Sequence, residues 1–466
     1  MRLLHTSDWH LGQSLHNFDR QYEHQCFLDW LLETIVSEQA DALLVAGDIF
    51  DNANPSAASQ RQLYTFLQQA RARAPQLNIV VIAGNHDSPG RLEAPGPLLE
   101  AHGTTVIGYP HRDADGAIAM ERMLVPLTGK DGQVAAWVLA VPFLRHGDVP
   151  RPAAATPTPA PAADADADTG AELQAADDAP AAAASPAAAA APANPAEPAE
   201  PANTAPADDA SPPAPQPDPY LAGIAELYRQ AIELAAARAA EGQAIVAMGH
   251  CHMVDGTMSA DSERRIVIGG TEMLPAGIFP APIAYAALGH LHLAQQVGPH
   301  AHIRYCGSPI PLSFAETSYP HQVLRIDFEG ARLNAVTPLP IPRAVQLLRI
   351  PAKPAPLEEV TAALAALDLP DAPLEQQPLL EVRILLNAPE PGLRSSIEKA
   401  LEGKPVRLAK IETSSAARAS FEEAAISLDQ LATLQPDDIF KRLYQQRYGS
   451  DAPPEQLAAF AELVQP

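Results

Sequence analysis

Cysteine is nearly missing from this chain of 466 residues: Cys26, Cys251 and Cys306 are the whole supply. Three thiols with no regular spacing cannot build a disulfide framework or a four-thiolate zinc site, and they fit a reducing compartment. Aromatic residues are only 5% of the chain. Long apolar runs are lacking too, since no stretch approaches the roughly 18 residues that a membrane-spanning helix needs. The first residues run straight into an apolar strand pattern, which leaves no signal peptide, so the expected location is the cytoplasm. Positive charge is also short, with 31 Lys and Arg against 56 Asp and Glu and a formal net charge of −25. Because non-specific affinity for nucleic acid comes largely from Lys and Arg at phosphates, this chain alone is expected to grip DNA weakly. There is no phosphate-binding loop of the Walker A type, so any ATP hydrolysis must come from another subunit.

Proline is abundant, at 48 residues, and the excess is local. Residues 151–219 are almost entirely Ala, Pro, Asp, Glu and Ser, with hardly an apolar side chain larger than alanine. Such a segment cannot offset its ordering entropy, and it reads as a disordered, partly polyproline-like insertion. It carries eleven acids against Arg151, so about −10 of the net charge belongs to it. It separates a strand ending near Val141–Leu144 from a helix beginning around Tyr220.

Five apolar, strand-like runs end directly on Asp, His or Asn: LLHTSDWH, VAGDIFD, IAGNHD, VAMGHCH and AALGHLH. Buried strands of an α/β sheet collect ligands at their carboxyl ends. Four of the runs place glycine before the polar residue (Gly47, Gly84, Gly249, Gly289), where the chain can turn sharply off the strand. Gathered at one edge, they offer Asp8, His10, Asp48, Asn85, His250, His290 and His292. This nitrogen and oxygen donor set suits Mn2+ or Fe2+ and tolerates Zn2+. Seven donors are too many for one ion with open positions and fit two ions roughly 3.5–4 Å apart if one carboxylate bridges them. Asp48 is assigned that bridge.

In order and spacing these blocks resemble the calcineurin-like metallophosphoesterase family. HTSDWHLG, VAGDIFD, AGNHDS, YAALGHLHLAQ and RYCGSPIPLSF are similar, more closely, to its SbcD-type DNA nucleases. The resemblance implies a four-layer α/β sandwich of two mixed sheets flanked by helices, with a small C-terminal α+β capping domain. It implies one metal held by Asp8, His10 and His292 and another by Asn85, His250 and His290, with Asp48 shared. The metals would be two Mn2+ ions, with Mg2+ or Fe2+ possible. His86 would be a catalytic histidine beside the metals, and Asp87 would orient it. The implied activity is a 3′-5′ exonuclease and hairpin or end-processing endonuclease acting on DNA ends. The implied assembly is a homodimer, formed through the helices after Asp19 and Pro55, within a heterotetramer with SbcC, an SMC-like ATPase.

Other residues keep more than one reading. His252 mimics the spacing of the last pair, but the resemblance needs only His250 from that block, so it reads as a neighbour of the site. His5 reads as an interior histidine, whereas His16, His24 and His102 default to structural or surface roles, and Cys251 reads as a small buried apolar residue. Asp51 and Asn52 either cap the next helix, the favoured reading, or face substrate. Arg20 and Gln21 either contact nucleic acid or sit in a solvated loop.

After residues 1–340 the pattern changes. Segments 344–350, 357–367, 379–386, 393–402 and 406–411 alternate β-α-β-α-β, marking 341–415 as a small α+β unit, which the resemblance makes the capping domain. In the tail, 416–466, Leu428, Leu431, Leu434, Ile439, Leu443 and Tyr444 recur at helical spacing, and Leu457, Phe460, Leu463 and Val464 form a second stripe. The resemblance makes these the helices that clasp SbcC. Two rival readings stay open at this point: another phosphodiesterase or phosphatase of the same fold, and a non-catalytic scaffold built on it.

Overall fold

The computed structural model of the chain describes residues 1–150, 218–254, 256–258, 273–386 and 390–415, with scattered positions from 440 to 460. The chain begins with β1 (Arg2–Thr6), a small hairpin of β2 (Ser14–Leu15) and β3 (Phe18–Asp19), and α1 (Gln21–Ser37). It continues through β4 (Ala42–Ala46), α2 (Ala57–Arg73), β5 (Asn78–Ile82), the short α3 (Pro89–Glu93) and α4 (Gly96–Glu100), and β6 (Thr104–Ile107). Next come β7 (Leu124–Thr128), β8 (Val134–Ala140), α5 (Pro219–Arg238), β9 (Ala244–His250), β10 (Ile283–Gly289), β11 (Gln295–Val297) and β12 (His300–Tyr305). Two further strands, β13 (Gln322–Glu329) and β14 (Arg332–Pro340), return to the first sheet.

Two six-stranded mixed sheets result, ordered β14-β13-β1-β4-β5-β6 and β11-β12-β10-β9-β8-β7. In the first, β1, β4, β5 and β6 run parallel, and in the second β8, β9, β10 and β12 do. The alternation of β4 explains the layering. Ala42, Leu44 and Ala46 enter the core shared with β8, β9 and β10, while Leu43 and Val45 enter the core under α1 and α2. Leu227, Tyr228 and Ala231 of α5 close the far side of the second sheet. The order is therefore helix, sheet, sheet, helix, the four-layer sandwich expected. A strand such as ALLVA, apolar on both faces, is what a sheet covered on both sides requires.

The α1 helix forms because Phe27, Leu28, Leu31, Leu32 and Ile35 fall on one stripe that packs on the first sheet. The α2 helix is capped by Ser56, whose hydroxyl accepts from Ser59 N at 3.1 Å. The expectation that Asp51 or Asn52 caps this helix is thus corrected: Asn52 instead accepts from Asn54 N in an Asx-type turn.

The C-terminal unit contains β15 (Leu347–Ala355), α6 (Leu357–Ala365), β16 (Leu379–Leu386), α7 (Leu393–Ala400) and β17 (Arg407–Ser415), in the predicted alternation. All three strands run parallel, so both helices are crossovers. Val360, Leu364, Leu380, Val382, Ile384 and Ile397 make its core. A separate cluster of Leu15, Phe314, Val345, Leu347 and Leu379 docks this unit against the β2–β3 hairpin.

The segment read as a disordered insertion lies outside the described residues up to 217, and beyond it Asp218 caps α5 with Pro219 in its first turn. In the tail, Leu428, Leu431, Leu434, Ile439, Leu443, Leu463 and Val464 also lie outside the described residues. Phe440 of the first stripe region stacks on Phe460 of the second, with centroids 4.4 Å apart.

Candidate metal centre

The carboxyl ends of β1, β4, β5, β9 and β10 meet at one edge, three from one sheet and two from the other. The first loop, Asp8-Trp9-His10, is pinned by its central residue. Trp9 is fully buried, edge-on to Phe27 of α1 and Phe66 of α2, and its indole donates to Thr6 Oγ1 at 2.9 Å. That anchor turns Asp8 and His10 back over the sheet edge. Asp8 N, His10 N and Leu11 N then donate to Gly47 O, Asp48 O and Ile49 O, zipping the first loop to the second.

Backbone strain concentrates on these residues. Asp8 (φ 55°), His10 (φ 47°), Asp48 (φ 50°) and His290 (φ 103°) all occupy positive φ, which side chains with a Cβ rarely adopt. Such outliers cluster at functional sites, where the surrounding structure holds them in place.

The preceding glycines answer to crowding more than to turning. Of the four, Gly47 alone has a positive φ (88°). A Cβ on Gly84 would lie 2.1 Å from Asp48 Oδ1, on Gly249 2.6 Å from the Tyr228 hydroxyl, and on Gly289 1.9 Å from Ala46 O. Gly289 thus lets β10 close on β4 of the other sheet, while Gly84 and Gly249 leave room for the Asp48 carboxylate and the Tyr228 hydroxyl, so side chains of moderate length can converge.

All seven sequence-selected residues do converge. Asp8, His10 and His292 turn donor atoms into one space, all within 4.8 Å of one another, and Asp8, Asp48 and His250 do the same. Asp48 Oδ2 lies 3.5 Å from His10 Nε2 and 3.4 Å from His250 Nε2. Asn85 Oδ1 sits 3.0 Å from His250 Nε2 and 3.1 Å from His290 Nδ1. One carboxylate therefore stands between a set around His10 and a set around His250.

The donors fit divalent cations. His10 Nε2 and His290 Nε2 are buried and have no hydrogen-bond partner among the described residues, and a buried unpaired polar atom is costly. Burial pushes the Asp8 carboxyl up. Burial acts the same way on Asp48, but His250, His10 and His86 outweigh it and hold this carboxyl well below the usual range. His250 shows the converse: burial disfavours its charge, yet Asp48 and Asp8 raise it to about 9. Burial and the His250 charge depress His290 well below an ordinary imidazole. Two buried carboxylates thus draw positive charge into the space between them, which is what a pair of cations supplies.

Around this set, several expectations change. His86 lies beside it, its ring centroid 4.8 Å from that of His10, but its Nδ1 donates to the backbone carbonyl of Asp51 at 2.7 Å. The Asp87 carboxylate, expected to orient that ring, accepts instead from Ile49 N, Phe50 N and Gly84 N, so it ties the second and third loops together. Burial and the Asp48 charge push Asp87 up to about 6 against those bonds. Asp51, which does not cap α2, brings Oδ1 within 3.4 Å of His10 Nδ1.

Arg20, expected in a loop at DNA or in solvent, is buried. It pairs with Glu23 in two hydrogen bonds and donates to Pro311 O at 2.9 Å. Gln21 is exposed. His5 is interior as expected, between the Tyr285 hydroxyl and Leu288 O, and His24 is fully buried. His16 stacks on Phe314, and His102 is exposed. His252 is buried with its ring 6.2 Å from that of His290, and Cys251 is half-buried.

Two supports escaped the sequence reading. Trp9 carried an aromatic signal inside the first motif. Glu316, fully buried, accepts from His292 Nδ1 at 2.9 Å and had no signal beyond its place just after the RYCGSPIPLSF block.

Comparison with known proteins agrees with this architecture. Residues 1–126 match the calcineurin-like phosphoesterase family, and residues 343–448 match the family described as type 5 capsule protein repressor C-terminal domain. The chain is 37% identical over 410 residues to the SbcD subunit of the SbcCD nuclease from Rhodobacter capsulatus, covering 88% of this chain and 86% of that one. It is 29% identical over 443 residues to the protein of the same name from Escherichia coli K12, covering 95% and 92%. With the Bacillus subtilis protein of that name it shares 32% over 328 residues, covering 70% and 66%.

Proposed function

The chain belongs to the SbcD nuclease subunits of the calcineurin-like phosphoesterase family and is a metal-dependent phosphodiesterase, and from that premise we propose that it hydrolyses DNA phosphodiesters with two Mn2+ ions. The reading includes 3′-5′ exonuclease activity, hairpin and end-processing endonuclease activity, and a partnership with the SMC-like ATPase SbcC.

The observation that carries it is the position of Asp48 Oδ2, 3.5 Å from His10 Nε2 and 3.4 Å from His250 Nε2. Asp8, His10 and His292 would hold one ion and Asn85, His250 and His290 the other, with Asp48 common to both. When bound, such a pair neutralises the phosphate, lowers the pKa of a water and holds it in line with the leaving oxygen. Asp87 fixes the second and third loops against each other and so sets the separation of the two donor sets. His86, held at Nδ1 by Asp51 O, is the general acid that protonates the departing sugar oxygen, a role worth about 10²–10⁴-fold.

Residues 1–340 form the nuclease domain, 341–415 a cap that restricts which DNA ends reach the metals, and 416–466 the tail that grips SbcC. The α1 and α2 helices supply the surface for a homodimer. A net charge of −25 leaves DNA affinity to the metals and the partner.

The test is calorimetric titration with Mn2+ alongside cleavage of hairpin DNA by the purified chain, with and without SbcC and ATP. Two equivalents should bind the native chain. Asp48→Ala should bind fewer and cut nothing, whereas His86→Ala should bind two and lose activity. Full cleavage by Asp48→Ala would defeat the reading.

A further inference from the structure

The four histidines at the centre differ in what stands behind them. His250 Nδ1 donates to a neutral backbone carbonyl, Ala46 O, at 2.9 Å. His292 is backed by a carboxylate: Nδ1 lies 2.9 Å from Glu316 Oε1, leaving Nε2 for the space shared with Asp8 and His10. Glu316 is itself immobilised. It lies in a 3-10 turn, Phe314–Ser318, capped by Ser313, and its second oxygen accepts from Leu312 N at 2.7 Å. It shows no exposed surface. A buried carboxylate is costly unless charge compensates it. An imidazole that coordinates a cation becomes a stronger N–H donor and carries part of the positive charge outward, which supplies that compensation.

We propose that Glu316 is a positioning residue for metal binding: it fixes His292 as the Nδ1–H tautomer, raises the basicity of Nε2, and makes the ion held by Asp8, His10 and His292 the tighter of the two. The inference rests on the two-ion reading above but adds an asymmetry that reading does not contain. The same turn carries a second contact. Phe314, two residues before Glu316, packs with Val345, Leu347 and Leu379 of the C-terminal unit. Docking of the cap and orientation of His292 therefore depend on one short stretch of backbone.

The experiment uses the full-length chain and Mn2+ as the probe, with Glu316→Gln and Glu316→Ala beside the native protein. Each is titrated calorimetrically, bound and free Mn2+ are counted by electron paramagnetic resonance, and each metal-free chain is melted. Glu316→Ala removes the carboxylate that accepts from His292 Nδ1 and Leu312 N and is the variant at risk of not folding. Glu316→Gln keeps the volume and one acceptor and so keeps the test open.

The native chain should bind two ions with unequal affinities. In Glu316→Gln the tighter affinity should fall about 10–100-fold, the size of effect seen when such outer partners are removed. The weaker affinity should stay within about twofold, and the metal-free melt should match the native one. Equal weakening of both sites together with a lowered metal-free melt would make Glu316 a structural residue only and overturn the proposal, as would two unchanged affinities. A native chain that binds fewer than two ions would instead bring down the two-ion reading, and the asymmetry with it.

Discussion

Replacing Gly289 with alanine measures how tightly the two sheets must close for the centre to exist. The added Cβ would lie 1.9 Å from Ala46 O, and 2.9 Å from both His250 Nδ1 and the Ser7 Cβ. Carbon to carbonyl-oxygen contacts between strands settle near 3.3–3.6 Å, so β10 and β4 must part by more than about 1 Å. The obstacle is backbone on both sides, which places the cost at the upper end of overpacking, about 3 kcal/mol. Moving Ala46 O also weakens its bond from His250 Nδ1, worth about 1 kcal/mol. Together, about 4 kcal/mol lowers the melting temperature of a domain this size by roughly 8–16 °C.

Thermal melts of the metal-free chain, paired with Mn2+ titration, read both consequences. The natural control is Gly90→Ala, where nothing lies within 4 Å of the new carbon. If Gly289→Ala melts within about 1 °C of the native chain and still binds two ions, the crowding argument for these glycines is wrong.

Other outcomes follow from the same geometry. Arg20→Ala strands the Glu23 carboxylate in the interior and should cost about 3–5 kcal/mol in urea unfolding, whereas Arg20→Met combined with Glu23→Leu should recover most of it. His5 and His24 are buried bases lowered by burial to about 3, below the ordinary 6.5 that applies when the chain unfolds. The unfolded chain therefore binds more protons as pH falls through that window. Each of the two should contribute a decline of roughly 1.4 kcal/mol per pH unit as pH falls below 6.5, and in urea unfolding across that window His24→Gln should remove one such share of the slope. Deleting residues from 427 onward should abolish co-elution with SbcC while leaving Mn2+ stoichiometry unchanged; an intact complex would refute the role given to the tail.

The centre was legible because its donors are chemically rare in apolar surroundings. An Asp, His or Asn at the end of a run such as ALLVA stands out, and five repetitions specify an edge where parallel strands finish. The supports were harder to see. Glu316 sits in a polar stretch, Ser313–Ser318, that reads as an ordinary surface turn, and its partner His292 is 24 positions away. In the sequence Arg20 is left between nucleic acid and a solvated loop, because a charged residue in a loop is usually exposed; the Pro311 carbonyl, arriving from 291 positions away, joins the nearby Gln13 and Glu23 side chains to make its burial tolerable. Asp51 and Asp87 both depart from their expected duties because backbone amides and carbonyls, which are invisible in a string of side chains, decide which group each of them meets: the Asp51 carbonyl accepts from His86, and the Asp87 carboxylate takes three loop amides. The β-α-β-α-β order of the C-terminal unit was readable from periodicity, whereas its seat on Leu15 and Phe314 was not, since those contacts join residues more than 30 positions apart.

The two sheets also set a timetable for the nascent polypeptide. Asp8 accepts from His290 N across 282 positions, so the earliest donor waits on the ribosome for nearly the last. A fragment ending at residue 126 would possess Asp8, His10, Asp48 and Asn85 but no histidine from β9 or β10. The complete donor set therefore exists only once β10 has been made and seated beside β4, and an unfinished chain has no complete metal centre.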